Sequence, residues 1–129
     1  MNKIRTLIAH NEEDVKNEIV DSIKGLEFVE IVGVATDGTE AYNKIVDLKP
    51  EIVFSKYDFN NMTSLDIMRK SKEKLDSEIP VFNIIVDDIS NEVLKEAQNI
   101  VGDKLGLIRR PYPFMVTNVL AEYKNYINK

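Results

Sequence analysis

The 129-residue chain has no cysteine, which excludes a disulfide framework and thiolate metal ligation. Its single histidine, His10, has no second imidazole with which to form a histidine metal cluster. Only 5 glycines and 4 prolines interrupt the chain, too few for a linker or a tail. No apolar run approaches the roughly 18 residues of a membrane-spanning helix. Met1–His10 also lacks the charged-then-apolar leader and small-residue cleavage site of a secretory signal. Glycine-rich phosphate loops are missing too: neither G-x-G-x-x-G nor G-x-x-x-x-G-K-S/T occurs. A soluble, cytoplasmic chain that makes no membrane contact is the expectation these absences leave.

What is present points to one ordered domain spanning residues 1–129. The chain is long enough to bury a core without staples, and 43% hydrophobic with 30% charged residues is a globular profile. Its 22 acidic residues outnumber 17 basic ones, giving a net charge of -5. Such a surface repels phosphate backbones, so direct nucleic acid binding by this segment is not expected.

Apolar runs too short for helices alternate regularly with amphipathic segments. Strands are predicted at Ile4–Ala9, Val29–Ala35, Ile52–Lys56, Val81–Val86 and Leu107–Arg109. Between them, Val15, Ile19, Ile23 and Leu26 mark the first helical face, with Asn11 as its expected cap. Asp37 and Glu40 have capping-box spacing, and Ala41, Ile45 and Leu48 follow until Pro50 stops the second helix. Leu65, Met68 and Leu75 mark a third helix, and Val93, Leu94, Ala97, Ile100 and Val101 a fourth. Val116, Val119, Leu120, Tyr123 and Ile127 mark the fifth.

Strict alternation with almost wholly apolar strands predicts an α/β fold, a doubly wound five-stranded parallel sheet with helices on both faces. In such folds the functional crevice lies beyond the carboxyl ends of the strands. The side chains expected there are His10, Asn11, Lys56, Ile85, Val86 and Arg110.

Several strings, in this order and at these separations, carry a resemblance. Ile4-Arg5-Thr6-Leu7-Ile8-Ala9, Val32-Gly33-Val34-Ala35-Thr36-Asp37-Gly38-Thr39-Glu40-Ala41 and Pro50-Glu51-Ile52-Val53-Phe54 are similar to the first three strands of response-regulator receiver domains. Met62, Ser64 and Leu65 fall where that family has Met, Gly and Leu after its phosphoacceptor, which sets the register at Lys56. Arg110-Pro111-Tyr112 falls on the family's Lys-Pro-Phe. Over its whole length the chain thus resembles a receiver of the flavodoxin-like kind from two-component signalling.

The resemblance implies a phosphorylation site made of an Asp nucleophile, two acidic residues holding Mg²⁺, a Thr or Ser ending the fourth strand, and a Lys before the Pro. In that register the chain has Lys56, His10 with Asn11, Ile85, and Arg110. An ammonium has no lone pair with which to attack phosphorus. An imidazole, a neutral amide and a nearby cation make a poor set for an ion that wants hard oxygens. Ile85 cannot donate a hydrogen bond to a phosphoryl oxygen, and Val86 adds bulk where the family often has Ala. The expectation is a degenerate pseudo-receiver: no enzyme, no metal or other cofactor, and a phosphorylation-independent module for protein contacts, such as the regulatory domain of a transcription regulator.

Other readings stay open at this stage. Lys56 can simply pair with Glu12, Asp58 or Asp87, or it can join Arg110 in clamping a small anionic ligand. Asp58 or His10 can serve as a displaced phosphoacceptor. The resemblance also implies a cis bond at Arg110-Pro111. Tyr112, Phe114, Tyr123 and Tyr126 form an expected aromatic cluster for core or dimer packing. The partners expected are another protein or an appended output domain, and a second copy through the fourth helix, fifth strand and fifth helix.

Overall fold

Each short apolar run is a strand and each amphipathic segment a helix in the computed structural model, which describes residues 2–60 and 62–128. In chain order these are β1 (Ile4–Ala9), α1 (Glu13–Ile23), β2 (Val29–Ala35), α2 (Gly38–Leu48), β3 (Ile52–Lys56), α3 (Ser64–Leu75), β4 (Val81–Ile85), α4 (Asn91–Val101), β5 (Leu105–Ile108) and α5 (Tyr112–Ile127). A single 3-10 turn, Asp76–Glu78, leads from α3 toward β4. Every strand pair is parallel, and the sheet order is β2-β1-β3-β4-β5. The predicted doubly wound sheet is the one that forms.

The two-residue period of a strand divides the core between the faces of the sheet. In β3, Ile52 and Phe54 pack with Ile19 and Ile23 of α1 and Val116 and Leu120 of α5. Val53, between them, packs with Ala41 and Ile45 of α2, Met68 of α3 and Ala97 of α4. All three β3 side chains are fully buried, each worth about 1.5–3 kcal/mol in apolar transfer. This explains why the central strand reads as an unbroken apolar run.

Two strand boundaries differ from expectation. β4 ends at Ile85, because Val86 keeps only a backbone bond to the Ile108 carbonyl at 3.1 Å as the chain turns away. β5 runs Leu105–Ile108 and not Leu107–Arg109. Gly106 hid its start, since glycine is depleted in strands. Here Gly106 pairs with Asn83, whose side chain occupies the space a Cβ would need.

Helix starts follow local chemistry. Asp37 accepts from the Glu40 amide at 2.8 Å, while Glu40 reaches back one residue further than a standard capping box, to the Thr36 amide at 2.6 Å. The reciprocal box sits instead on α3, between Thr63 and Asp66. Glu12 occupies the cap position of α1 without a side-chain capping bond, so the expected Asn11 cap is not made. Leu26 lies beyond α1 and still packs on its core. No described helix is long and apolar enough to cross a membrane.

Candidate functional site

Parallel register brings the strand ends level: Ala9 pairs with Ser55, Lys56 with Ile85, and Ile85 with Ile108. The chain therefore leaves β1, β3, β4 and β5 at one edge, around a cleft of about 220 Å³. His10, Lys56, Ile85, Val86 and Arg110 line it, together with Glu12, Tyr57, Asp58, Asp87 and Tyr112. Asn11, the remaining expected position, joins through its bond to Lys56.

On one side of the cleft, Lys56 is held by its neighbours. Its Nζ donates to Asn11 Oδ1 at 2.8 Å and lies 3.7 Å from Glu12 Oε1. Of the three acids expected as partners, only Glu12 is used; Asp58 and Asp87 are engaged elsewhere. The Asn11 amide is spent on this bond, which is why it does not cap α1.

His10 is buried, 3% exposed, and its Nδ1 accepts from the Glu12 amide at 3.0 Å. That bond places the proton of the neutral ring on Nε2. Burial, and next the Lys56 ammonium, hold its pKa below the ordinary imidazole value against the smaller pull of Glu12. His10 is therefore a neutral ring that fastens the β1–α1 loop.

On the other side, Asp87 gathers the β5–α5 connection. Its carboxylate takes Arg110 Nε at 3.1 Å to each oxygen and the Tyr112 hydroxyl at 2.6 Å. Arg109 Nη1 donates to the Asp87 carbonyl at 2.9 Å. The Arg110 guanidinium also lies 4.7 Å from the Tyr112 ring centroid, within cation–π range. The Tyr112 bond, then the Arg110 bond, hold the Asp87 carboxyl below its ordinary range, and Asp87 in turn raises Arg110.

Asp87 is the site residue that sequence reasoning missed, appearing there only as a candidate partner of Lys56. A signal existed: Asp87-Asp88 follow β4 and Arg109-Arg110 follow β5, and β4 and β5 are adjacent in the sheet. The cleft thus holds two cations, each matched to its own acid.

Asp58 is exposed and turns inward on its own loop, accepting from the Asn60 amide at 2.8 Å and bridging to Thr63. Ile85 is 3% exposed and packs with Phe54, Ile108 and Tyr112. Val86 packs on the opposite core. The Arg110–Pro111 bond is cis. The expected aromatic cluster does not assemble: Tyr112 sits at the cleft, Tyr123 stacks on Tyr126 at the far end of α5, and Phe114 is exposed.

The Mg²⁺ implied by the resemblance can be tested against this donor set. His10 Nδ1 and Asn11 Oδ1 already accept hydrogen bonds, and Lys56 places its ammonium beside them. Magnesium prefers oxygen ligands including one or two carboxylates. The residues present do not fit it. Among the described residues, no group of three or more His, Asp or Glu side chains is placed to hold a metal ion.

No family model matches the chain. A protein-glutamate methylesterase/protein-glutamine glutaminase from Geobacter sulfurreducens is 32% identical over 69 residues, and one from Methanospirillum hungatei is 30% identical over 70. Each match covers 54% of this chain but only 19% and 20% of those proteins, about a fifth of their length. Among solved structures, the receiver domain of a NarL response regulator from Mycobacterium tuberculosis matches with TM-score 0.80 at 15% identity, covering 95% of this chain and 96% of its own. The receiver domain of AraT from Geobacillus stearothermophilus matches with TM-score 0.77 at 25% identity, covering 96% and 95%. The response regulator RcsB from Salmonella typhimurium, studied for DNA interaction, matches with TM-score 0.73 at 18% identity over 97% of this chain and 60% of that one.

Proposed function

We propose that this chain, which has the fold of response-regulator receiver domains, is a signalling receiver module that acts through protein contacts and is not switched by phosphorylation. The observation that carries the reading is Lys56. It stands at the carboxyl end of the central strand, where the receiver resemblance calls for a nucleophilic carboxylate, and it is tied to Asn11 and Glu12. An ammonium cannot form the acyl phosphate, and without a divalent cation nothing offsets the charge of a phosphoryl donor.

The engagement of Asp58 in its own loop argues against its use as a displaced acceptor, and the Nδ1 bond of His10 argues against that ring. The anion-clamp reading is weakened in the same way. A ligand bound by Lys56 and Arg110 has to displace Glu12 and Asp87 first.

The cleft in this reading is a closed structural element that fixes the loops around it, and the module is not an enzyme. Its partners are another protein in the cytoplasm or an appended output domain, by analogy with the RcsB chain, of which the matched region is only part. A second copy is proposed to meet α4, β5 and α5. There β5 is an edge strand, and Leu105, Leu107, Leu94 and Ile100 are only half-buried.

The test is a pair of amide spectra recorded with and without acetyl phosphate and Mg²⁺. The expected result is unchanged amide positions at His10, Lys56, Asp87 and Arg110. Concerted shifts there would favour a phosphorylatable receiver.

A further inference from the structure

At the opposite, amino-terminal end of the sheet lies a cavity of about 690 Å³, much larger than the carboxyl-end cleft and unused by the reading above. That volume is within the range of ligand pockets, about 300–1,000 Å³. Pro50, Ile79 and Pro80 are buried at its base. One wall is Tyr123 and Tyr126 of α5, stacked with ring centroids 6.5 Å apart and planes 26° from parallel. Tyr126 is 73% exposed, a large aromatic surface left to water.

The charges around this groove are unevenly committed. Lys49 Nζ pairs with Glu78 at 3.4 Å, and Lys104 Nζ donates to the carbonyls of Ser77 and Ile79 at 3.2 and 2.9 Å, pinning the 3-10 turn. Glu51 and Asp103 also line the cavity, and neither forms an ion pair among the described residues. Glu51 Oε2 lies 3.5 Å from the Tyr123 hydroxyl, so a carboxylate stands directly beside the stacked rings.

We propose that this groove receives an arginine side chain carried by an extended segment of a partner protein. A tyrosine face beside a carboxylate recognises a cation, and a planar guanidinium satisfies both: it stacks on the ring and forks onto the acid. The committed lysines do not compete for Glu51 or Asp103. The cavity exceeds what one guanidinium fills and opens at the exposed Tyr126, so apolar neighbours of the arginine have a surface to cover.

The test uses a short capped peptide with one central arginine flanked by valines, and its citrulline twin, titrated by calorimetry into the whole chain. The arginine peptide is expected to bind, and the neutral twin to bind about tenfold or more weakly, the worth of a charge-assisted hydrogen bond. Tyr126→Ala, an exposed position whose loss leaves the melting temperature unchanged, should weaken the arginine peptide by about 3- to 30-fold. Asp103→Asn should weaken it in the same direction, and Lys56→Ala, at the other end of the sheet, should not. Equal binding of the twins, no binding at millimolar peptide, or an unaffected Tyr126→Ala variant overturns the proposal. So does capped free arginine binding as tightly as the peptide, which makes the ligand a small molecule. Tyr126-dependent self-association seen by light scattering overturns it in favour of a second copy.

Discussion

Tyr112 donates its hydroxyl to Asp87 across 2.6 Å, onto the carboxylate that also takes Arg110. The bond joins the end of β4 to the first turn of α5. In the receiver resemblance this aromatic position is a Phe, which has no hydroxyl. Here the hydroxyl adds a second donor to Asp87 and helps keep Arg110 turned toward that acid.

Tyr112→Phe should therefore raise the Asp87 pKa toward its ordinary value while keeping the ring under Arg110. The sign follows from linkage. A carboxyl depressed in the folded state adds stability above its unfolded pKa, and loses it as pH falls through the folded one. The variant should thus lose stability near neutrality but show a shallower loss in acid. A carbon-detected titration of Asp87 reads the shift directly, and an unchanged value would show that Arg110 alone sets it.

His10 gives a second pH signature. Its folded pKa is lowered, first by burial and then by Lys56, so the unfolded chain binds the proton more readily. Stability should fall as pH drops below about 6.5, the ordinary imidazole value, and level off once the folded ring is also protonated. Protonation would cost the Nδ1 bond to the Glu12 amide and place a second positive charge beside Lys56. His10→Asn keeps an acceptor without a titrating ring, so its urea midpoint should lose less between neutral and mildly acidic pH. An equal loss in both proteins counts against the account.

Magnesium at millimolar concentration should leave the melting temperature of the chain unchanged. The donor set of His10, Asn11 and Lys56 offers it nothing to gain, and only a ligand that binds the folded state raises the midpoint. A clear Mg²⁺-dependent rise in differential scanning fluorimetry would reveal a site formed by other acids.

Ile85→Thr should cost about 1–3 kcal/mol, read from urea unfolding, because the new hydroxyl enters a packed position with no partner arranged for it. Ile85 is 3% exposed among Phe54, Ile108 and Tyr112. A neutral or stabilising result would mean that the strand end is looser than its packing indicates.

Most of the architecture was readable from residue patterns, because burial on both faces of a parallel sheet turns strands such as Ile52–Lys56 into apolar blocks. The positions at the carboxyl edge were readable for the same reason: each is the first residue or two past an apolar run. Their pairings were not. Whether Lys56 meets Glu12, Asp58 or Asp87 depends on loop directions and side-chain rotamers that no periodicity encodes. Asp58 is lost to a local turn with Asn60, and Asp87 to two residues of the next strand's exit. The fifth strand was misplaced because Gly106 serves close packing against Asn83 at the expense of the propensity signal.

The central claim, that the cleft is chemically silent toward phosphoryl donors, is tested most directly by intact-mass spectrometry after exposure to acetyl phosphate and Mg²⁺. Three proteins should be compared: the wild-type chain, Lys56→Asp, and Lys56→Asp combined with His10→Asp, Asn11→Asp, Ile85→Thr and Val86→Ala. The account predicts no covalent phosphate on the first two, because a lone new carboxylate still lacks the metal ligands and the hydroxyl donor, and Arg110 remains bound to Asp87. Labelling is expected only in the combined variant, provided its melting curve shows it folded. Robust phosphorylation of the wild-type chain, or of Lys56→Asp alone, would contradict the account.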